Sequence, residues 1–145
     1  MTTQKEKEIL NSLLPYAQKK AKLFTNQKIK LDIRRRHKYN HKKQIYLADI
    51  VERGSGSSLY YLITFDYLTL EKFSIANLKN IISHEIAHIP SFQKPKLVTR
   101  YDKKGKPYKV YEDAHSGKQF ERACEKAKVK PSFKGEDLNK LRKFK

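Results

Sequence analysis

The chain has 145 residues and contains one cysteine, five glycines, five prolines and no tryptophan. A single cysteine, Cys124, can form neither an internal disulfide nor a cysteine-based zinc ribbon or finger. We therefore expect a cytoplasmic location or an equivalent reducing compartment. No apolar run approaches the roughly 18 residues of a membrane-spanning helix, and the N-terminal segment lacks the apolar stretch of a secretory signal.

Acidic residues are also scarce. There are 33 Lys+Arg against 15 Asp+Glu, which gives a formal net charge of +18. Because each neutralised phosphate releases counterions, nucleic acid (DNA in particular) is the expected partner of such a basic surface. Basic clusters at residues 33–43 and 128–145 favour this interpretation. The alternative is that lysine-rich composition serves only solubility and heat tolerance.

The chain length favours one compact core, residues 1–128, followed by a basic tail, residues 129–145. The hydrophobic periodicity predicts an α+β fold with a small, mainly antiparallel three-stranded sheet. Pro15 is expected to kink or split the first helix. The predicted elements are an N-terminal helix at 5–24, strands at 28–34, 44–51 and 59–65, a helix at 74–89, a basic loop or hairpin turning at Lys104–Gly105, and a last helix at 117–128.

The Gly-Ser stretch at residues 53–58 predicts an antiparallel hairpin between the second and third strands. An extended peptide would add most simply to the edge of the third strand.

Residues 80–90, NIISHEIAHIP, contain His84 and His88 four positions apart, with Glu85 directly after the first. On a helix these two imidazoles lie one turn apart, in a cleft or in solvent, and can both reach one zinc ion, while Glu85 can act on a water without ligating. The alternative is a solvated polar helix face. The apolar residues on the opposite side are expected to face the core: Ile75, Leu78, Ile82, Ile86 and Ile89.

A catalytic zinc site normally has three protein ligands. The cations around His37 and His41 disfavour a second positive centre there. His115 follows acidic residues and precedes the last predicted helix, so it is the expected third ligand. Glu112 is the alternative, because a carboxylate also completes such a site.

These motifs resemble those of the SprT-like (Spartan-type) metallopeptidases and, more distantly, the small gluzincin-like metalloproteases. The resemblance covers about residues 5–128 and is most specific in the HEIAH and AHSGKQF segments. Four residues separate His115 from Phe120, one more than is usual in the family. The cysteine-based zinc module that follows the core in some members is absent.

The resemblance implies a zinc-dependent protease in which His84, His88 and His115 bind Zn²⁺ and Glu85 is the catalytic base. It also implies a protein or peptide substrate, in some members protein attached to DNA. Manganese or nickel stays open as the native metal. The alternative is a basic nucleic-acid-binding module with a structural or inactive metal site.

Overall fold

The computed structural model describes residues 3–39, 43, 45–93, 97–111 and 118–129. The described strands come in two groups, three and then two, with helices before, between and after them, which confirms the predicted α+β class. The elements are α1 (Gln4–Ala21), β1 (Lys28–Arg34), β2 (Ala48–Arg53), β3 (Tyr60–Asp66), α2 (Tyr67–Lys72), α3 (Ile75–Ile86), α4 (Ile89–Gln93), β4 (Leu97–Tyr101), β5 (Pro107–Tyr111) and α5 (Lys118–Ala127).

Helix α1 begins at a capping box. The Thr3 hydroxyl accepts from the Glu6 N–H at 3.2 Å, and the Glu6 carboxylate accepts from the Thr3 N–H at 2.9 Å. Pro15 lies inside this continuous helix, so the predicted split is wrong. The proline costs about 3 kcal/mol in a helix interior. Burial of neighbouring Leu13 and Ala17 in the core offsets that cost.

Strand β3 lies in the centre of the sheet, in the order β1-β3-β2. It pairs parallel with β1 and antiparallel with β2, so the sheet is mixed rather than mainly antiparallel. The predicted β2–β3 hairpin is confirmed. Because β3 is paired on both sides, the prediction that it offers an edge to a peptide is wrong. Among the described strands, β1 and β2 are the outer strands of this sheet.

One face of the sheet packs against α1 and α3. Ile29 is buried between exposed Lys28 and Lys30, as in a strand with one face on the core. The two helices are joined by a 2.7 Å hydrogen bond between the Tyr16 and Ser83 hydroxyls. Residues from the sheet and both helices form the main core, among them Leu13, Ala17, Ile29, Ile50, Tyr61, Ile63, Phe65, Leu78 and Ile82.

Strands β4 and β5 form the predicted hairpin, and Gly105 at its tip has a φ of +77°. Such a left-handed conformation favours glycine. Of the predicted basic tail at 129–145, all but Val129 lies outside the described residues. Among the helices described, none combines the length and the apolar character needed to cross a membrane.

Candidate metal centre

Helix α3 carries the candidate site in its last turn. Ser74 is the N-cap of this helix, and its hydroxyl accepts a hydrogen bond from the Asn77 N–H at 3.2 Å. Four of the five apolar residues predicted to face the core do so. Ile75 is the exception, with 45% of its surface exposed, because it occupies the first position of the helix. The buried members are Leu78, Ile82, Ile86 and Ile89.

His84, Glu85 and His88 lie together in space. One possible ligand atom from each side chain can be chosen so that all three atoms lie within 4.8 Å of one another. The two imidazole rings have centroids 5.2 Å apart and stand nearly perpendicular, at 80°. This clustering follows from the helical repeat, which places residues four apart on the same side.

The chain changes direction between α3 and α4, and His88 lies at this junction. Its N–H donates to the Glu85 carbonyl at 3.0 Å. Its own carbonyl accepts from both the N–H and the hydroxyl of Ser91, at 3.0 and 2.6 Å. These bonds fix the His88 backbone at the point where α3 ends.

The histidines are buried, whereas the sequence predicted a cleft or solvent. The exposed fractions of His84, Glu85 and His88 are 6%, 7% and 8%. Phe120 of α5 covers them: its ring stacks on His88 at 4.3 Å and meets the edge of His84 at 5.2 Å. The Gln119 amide donates to the Pro90 carbonyl at 3.3 Å, which holds the start of α5 against α4.

Burial dominates the electrostatics of Glu85. Burial, together with the smaller effect of the nearby Asp49 carboxylate, raises the pKa of the Glu85 carboxyl to about 8. Asp49 is itself paired with Arg34 at 2.8 Å and with Lys38 at 3.6 Å. An opposite charge beside a carboxyl favours its ionised form. A cation bound within the cluster would therefore lower the pKa of Glu85.

The donor set fits a divalent cation. Zinc accepts imidazole ligands, and the nitrogens of His84 and His88 lie close enough together to share one ion, with the Glu85 carboxylate near both. The site also lies at the C-terminal end of α3, where the helix dipole favours positive charge. The same group of residues could therefore hold zinc without rearranging the helix.

Both candidates for the third ligand, His115 and Glu112, lie outside the described residues. Helix α5 begins three positions after His115, and its Phe120 touches both histidines of α3. His37 is engaged elsewhere: its Nδ1 lies 2.9 Å from a carboxylate oxygen of Asp66. His41 also falls outside the described part of the chain.

Asp66 and its neighbours form a second polar cluster that the sequence did not predict. Asp66 is fully buried and caps α2, with its carboxylate accepting from the Leu68 N–H at 3.0 Å. His37, which binds this carboxylate, also stacks on Tyr67 at 5.1 Å. The Arg34 guanidinium lies 4.0 Å from Asp66. An aspartate directly before YLTL was the available signal for a helix N-cap.

One face of α5 is buried. Its residues are Phe120, Ala123, Cys124 and Ala127. Burial, together with a smaller effect of Glu121, raises the pKa of the Cys124 thiol to about 11. Because the thiolate is the reactive form of cysteine, Cys124 acts as a small hydrophobic residue.

Comparisons with protein-family models, with curated proteins and with solved structures found no match. The resemblance to SprT-like metallopeptidases therefore stays a prediction from the motifs.

Proposed function

We propose that the protein is a zinc-dependent metallopeptidase of SprT-like type. One observation carries the proposal: His84, Glu85 and His88 lie buried with ligand atoms within 4.8 Å of one another. Burying three ionisable side chains together is costly unless hydrogen bonds, loss of charge or a bound ion compensates them. A divalent cation would compensate all three side chains at once.

In the proposed site, His84 and His88 hold the metal and His115 completes the set, with Glu112 as the alternative. Zinc held by these residues would supply Lewis acidity, which would activate water and polarise a peptide carbonyl. Glu85 acts through its carboxylate as the general base, taking a proton from the attacking water and giving it to the leaving amine. Phe120 excludes bulk water from the imidazoles and limits their rotation.

The outer edge of β2 is the proposed site for an extended peptide. Helix α3 packs beside β2, and Asp49 of that strand is close enough to raise the pKa of Glu85. A peptide that adds to this edge would gain main-chain hydrogen bonds and pass near the candidate base.

A protein bound to nucleic acid is the proposed substrate class, because the net charge of +18 favours such a partner. The second candidate function is a nucleic-acid-binding module with a structural or inactive metal site. The same charge supports it, and it requires no proteolysis.

The test combines zinc content with cleavage of an unfolded protein such as casein. We expect the wild type and Glu85→Gln to retain zinc stoichiometrically after dialysis, and only the wild type to cleave. Loss of the general base should lower the rate about 10²–10⁴-fold. Glu121→Gln, an exposed change on α5, is the matched control and should cleave normally.

Cleavage by Glu85→Gln at the wild-type rate would refute the assigned base. Zinc binding and salt-dependent DNA binding without any cleavage would favour the second candidate. Absence of stoichiometric zinc would overturn both the site and the peptidase proposal.

A further inference from the structure

Strands β4 and β5 form a two-stranded ribbon, and every residue from 99 to 109 is exposed. The side chains of Tyr101 and Tyr108 have 68% and 45% of their surface exposed. An isolated hairpin of two strands is only marginally stable in water, and large aromatic residues normally seek burial. The ribbon therefore has the character of a surface that a partner covers.

Both faces of the ribbon carry a tyrosine and a cation. Arg100 is opposite Tyr108 in the register, and Tyr101 is opposite Pro107 in the next pair. Side chains of successive pairs point to opposite faces, so Arg100 and Tyr108 share one face and Tyr101 lies on the other. Lys109, opposite Thr99, shares the face of Tyr101. Each face thus combines an aromatic ring with a positive charge.

The tip of the hairpin is held in shape by its own aspartate. A single carboxylate oxygen of Asp102 accepts from the N–H groups of Lys104 and Lys106, each at 2.8 Å. The Asp102 carbonyl accepts from the Gly105 N–H at 3.0 Å. The one acidic side chain of the hairpin is thereby engaged with backbone. Five basic residues extend from the ribbon and its tip: Arg100, Lys103, Lys104, Lys106 and Lys109.

We propose that this hairpin binds single-stranded nucleic acid, with Tyr101 and Tyr108 stacking on unpaired bases while the hairpin cations contact phosphates. Alternating aromatic rings and cations match the alternating bases and phosphates of a single strand. A duplex would need only the cations, because its bases are already stacked on one another. The inference deepens the proposed association with nucleic acid and does not depend on peptidase activity.

Fluorescence anisotropy with a labelled single strand of about 16 nucleotides tests the proposal on the full chain, with the same sequence as a duplex for comparison. Replacing both tyrosines, Tyr101→Ala with Tyr108→Ala, should weaken binding about thirtyfold and leave the salt dependence unchanged. Phenylalanine at both positions should keep affinity within about twofold, since the ring stacks without its hydroxyl.

Charge is tested separately at the hairpin tip. Lys103→Gln with Lys104→Gln should reduce the slope of log affinity against log salt by about 1.4, as two phosphate contacts are lost. Two exposed lysines of α1 provide the control, Lys5→Gln with Lys19→Gln, and should change the slope far less. The Lys103→Gln and Lys104→Gln variant leaves the tyrosines and the Asp102 turn intact.

Two exposed tyrosines outside the hairpin, Tyr39 and Tyr46, control for aromatic loss in general. Their double alanine variant should bind like the wild type. Wild-type affinity in the Tyr101 and Tyr108 alanine variant, or tighter binding of duplex than of single strand, would overturn the hairpin proposal alone. Failure of the wild type to bind either probe would overturn the nucleic-acid association, whereas zinc and cleavage measurements judge the peptidase proposal independently.

Discussion

Two buried carboxylates, Asp66 and Glu85, have opposite kinds of neighbour. Asp66 accepts from the Leu68 N–H, pairs with His37 and lies near the Arg34 guanidinium. Glu85 lies beside two imidazoles, and both its burial and a neighbouring carboxylate raise its pKa to about 8.

Asp66 is held by hydrogen bonds within the fold, whereas Glu85 is the acid proposed to act in the metal centre. The neighbours of Asp66 bond to its carboxylate and join β3 to α2, so this residue contributes to the fold. The surroundings of Glu85 disfavour its negative charge. A proton would remove that charge, and a bound metal cation would balance it. Such perturbed carboxyls occur preferentially at functional sites.

The largest expected effect comes from changing each acid to its amide in the metal-free protein. Asp66→Asn removes a buried charge from its partners and should lower the free energy of unfolding by about 3 kcal/mol. Glu85→Gln replaces a carboxyl that is mostly protonated at pH 7, so the free energy of unfolding should change by less than about 1 kcal/mol. Denaturant unfolding measures both, and equal losses would break the comparison.

Substitutions at the two candidates for the third ligand test the proposed metal site beside Glu85. His115→Ala should weaken zinc binding by more than the roughly 10- to 100-fold that loss of an outer-shell partner costs. Glu112→Ala should have little effect. Competition with a chelator measures both affinities. The reverse pattern would assign the ligand to Glu112, and no change in either variant would exclude both.

Arg34 connects the surroundings of the two acids, because it pairs with Asp49 at 2.8 Å and lies 4.0 Å from Asp66. Arg34→Gln should lower the free energy of unfolding by about 1–3 kcal/mol, since charge-assisted hydrogen bonds are lost. Arg53→Gln, at the exposed end of β2, is the matched control and should be nearly neutral. Equal stability of the two variants would show that Arg34 does not support the Asp66 cluster.

The smallest effect is expected at a surface acid, Glu6. Its hydrogen bond with Arg35 lowers the pKa of the Glu6 carboxyl from 4.5 to about 2. A depressed pKa stabilises the folded state fully above pH 4.5, and this contribution is lost as the pH falls towards 2. Thermal unfolding should therefore show Glu6→Gln slightly less stable at neutral pH, with the difference narrowing below pH 4.5. A difference independent of pH would contradict an ionic role.

Local periodicity in the sequence was sufficient to predict several elements of the fold and part of the candidate site. The alternation in β1, the stripe of α3 and the pairing of His84 with His88 follow from repeats of two and of about four residues. The hairpin at Lys104–Gly105 followed from turn chemistry.

Contacts between distant residues were not predictable in the same way. The central position of β3 depends on pairing across the sheet, and the burial of the histidines depends on Phe120, which is 32 positions beyond His88. The Asp66 cluster joins residues from the loop after β1 to the start of α2. No repeat in the sequence encodes such pairings, because they arise from packing of separate elements.

Since β3 pairs with both β1 and β2, neither of these earlier strands has its partner until residue 66 has left the ribosome. A nascent polypeptide ending before residue 60 carries two unpaired strands, which are prone to aggregation. The β2–β3 hairpin closes a short loop and is expected to form first, with β1 joining afterwards across 32 residues. The helix bearing His84 is translated after these three strands. The sheet on which it packs can therefore form before the two imidazoles are synthesised.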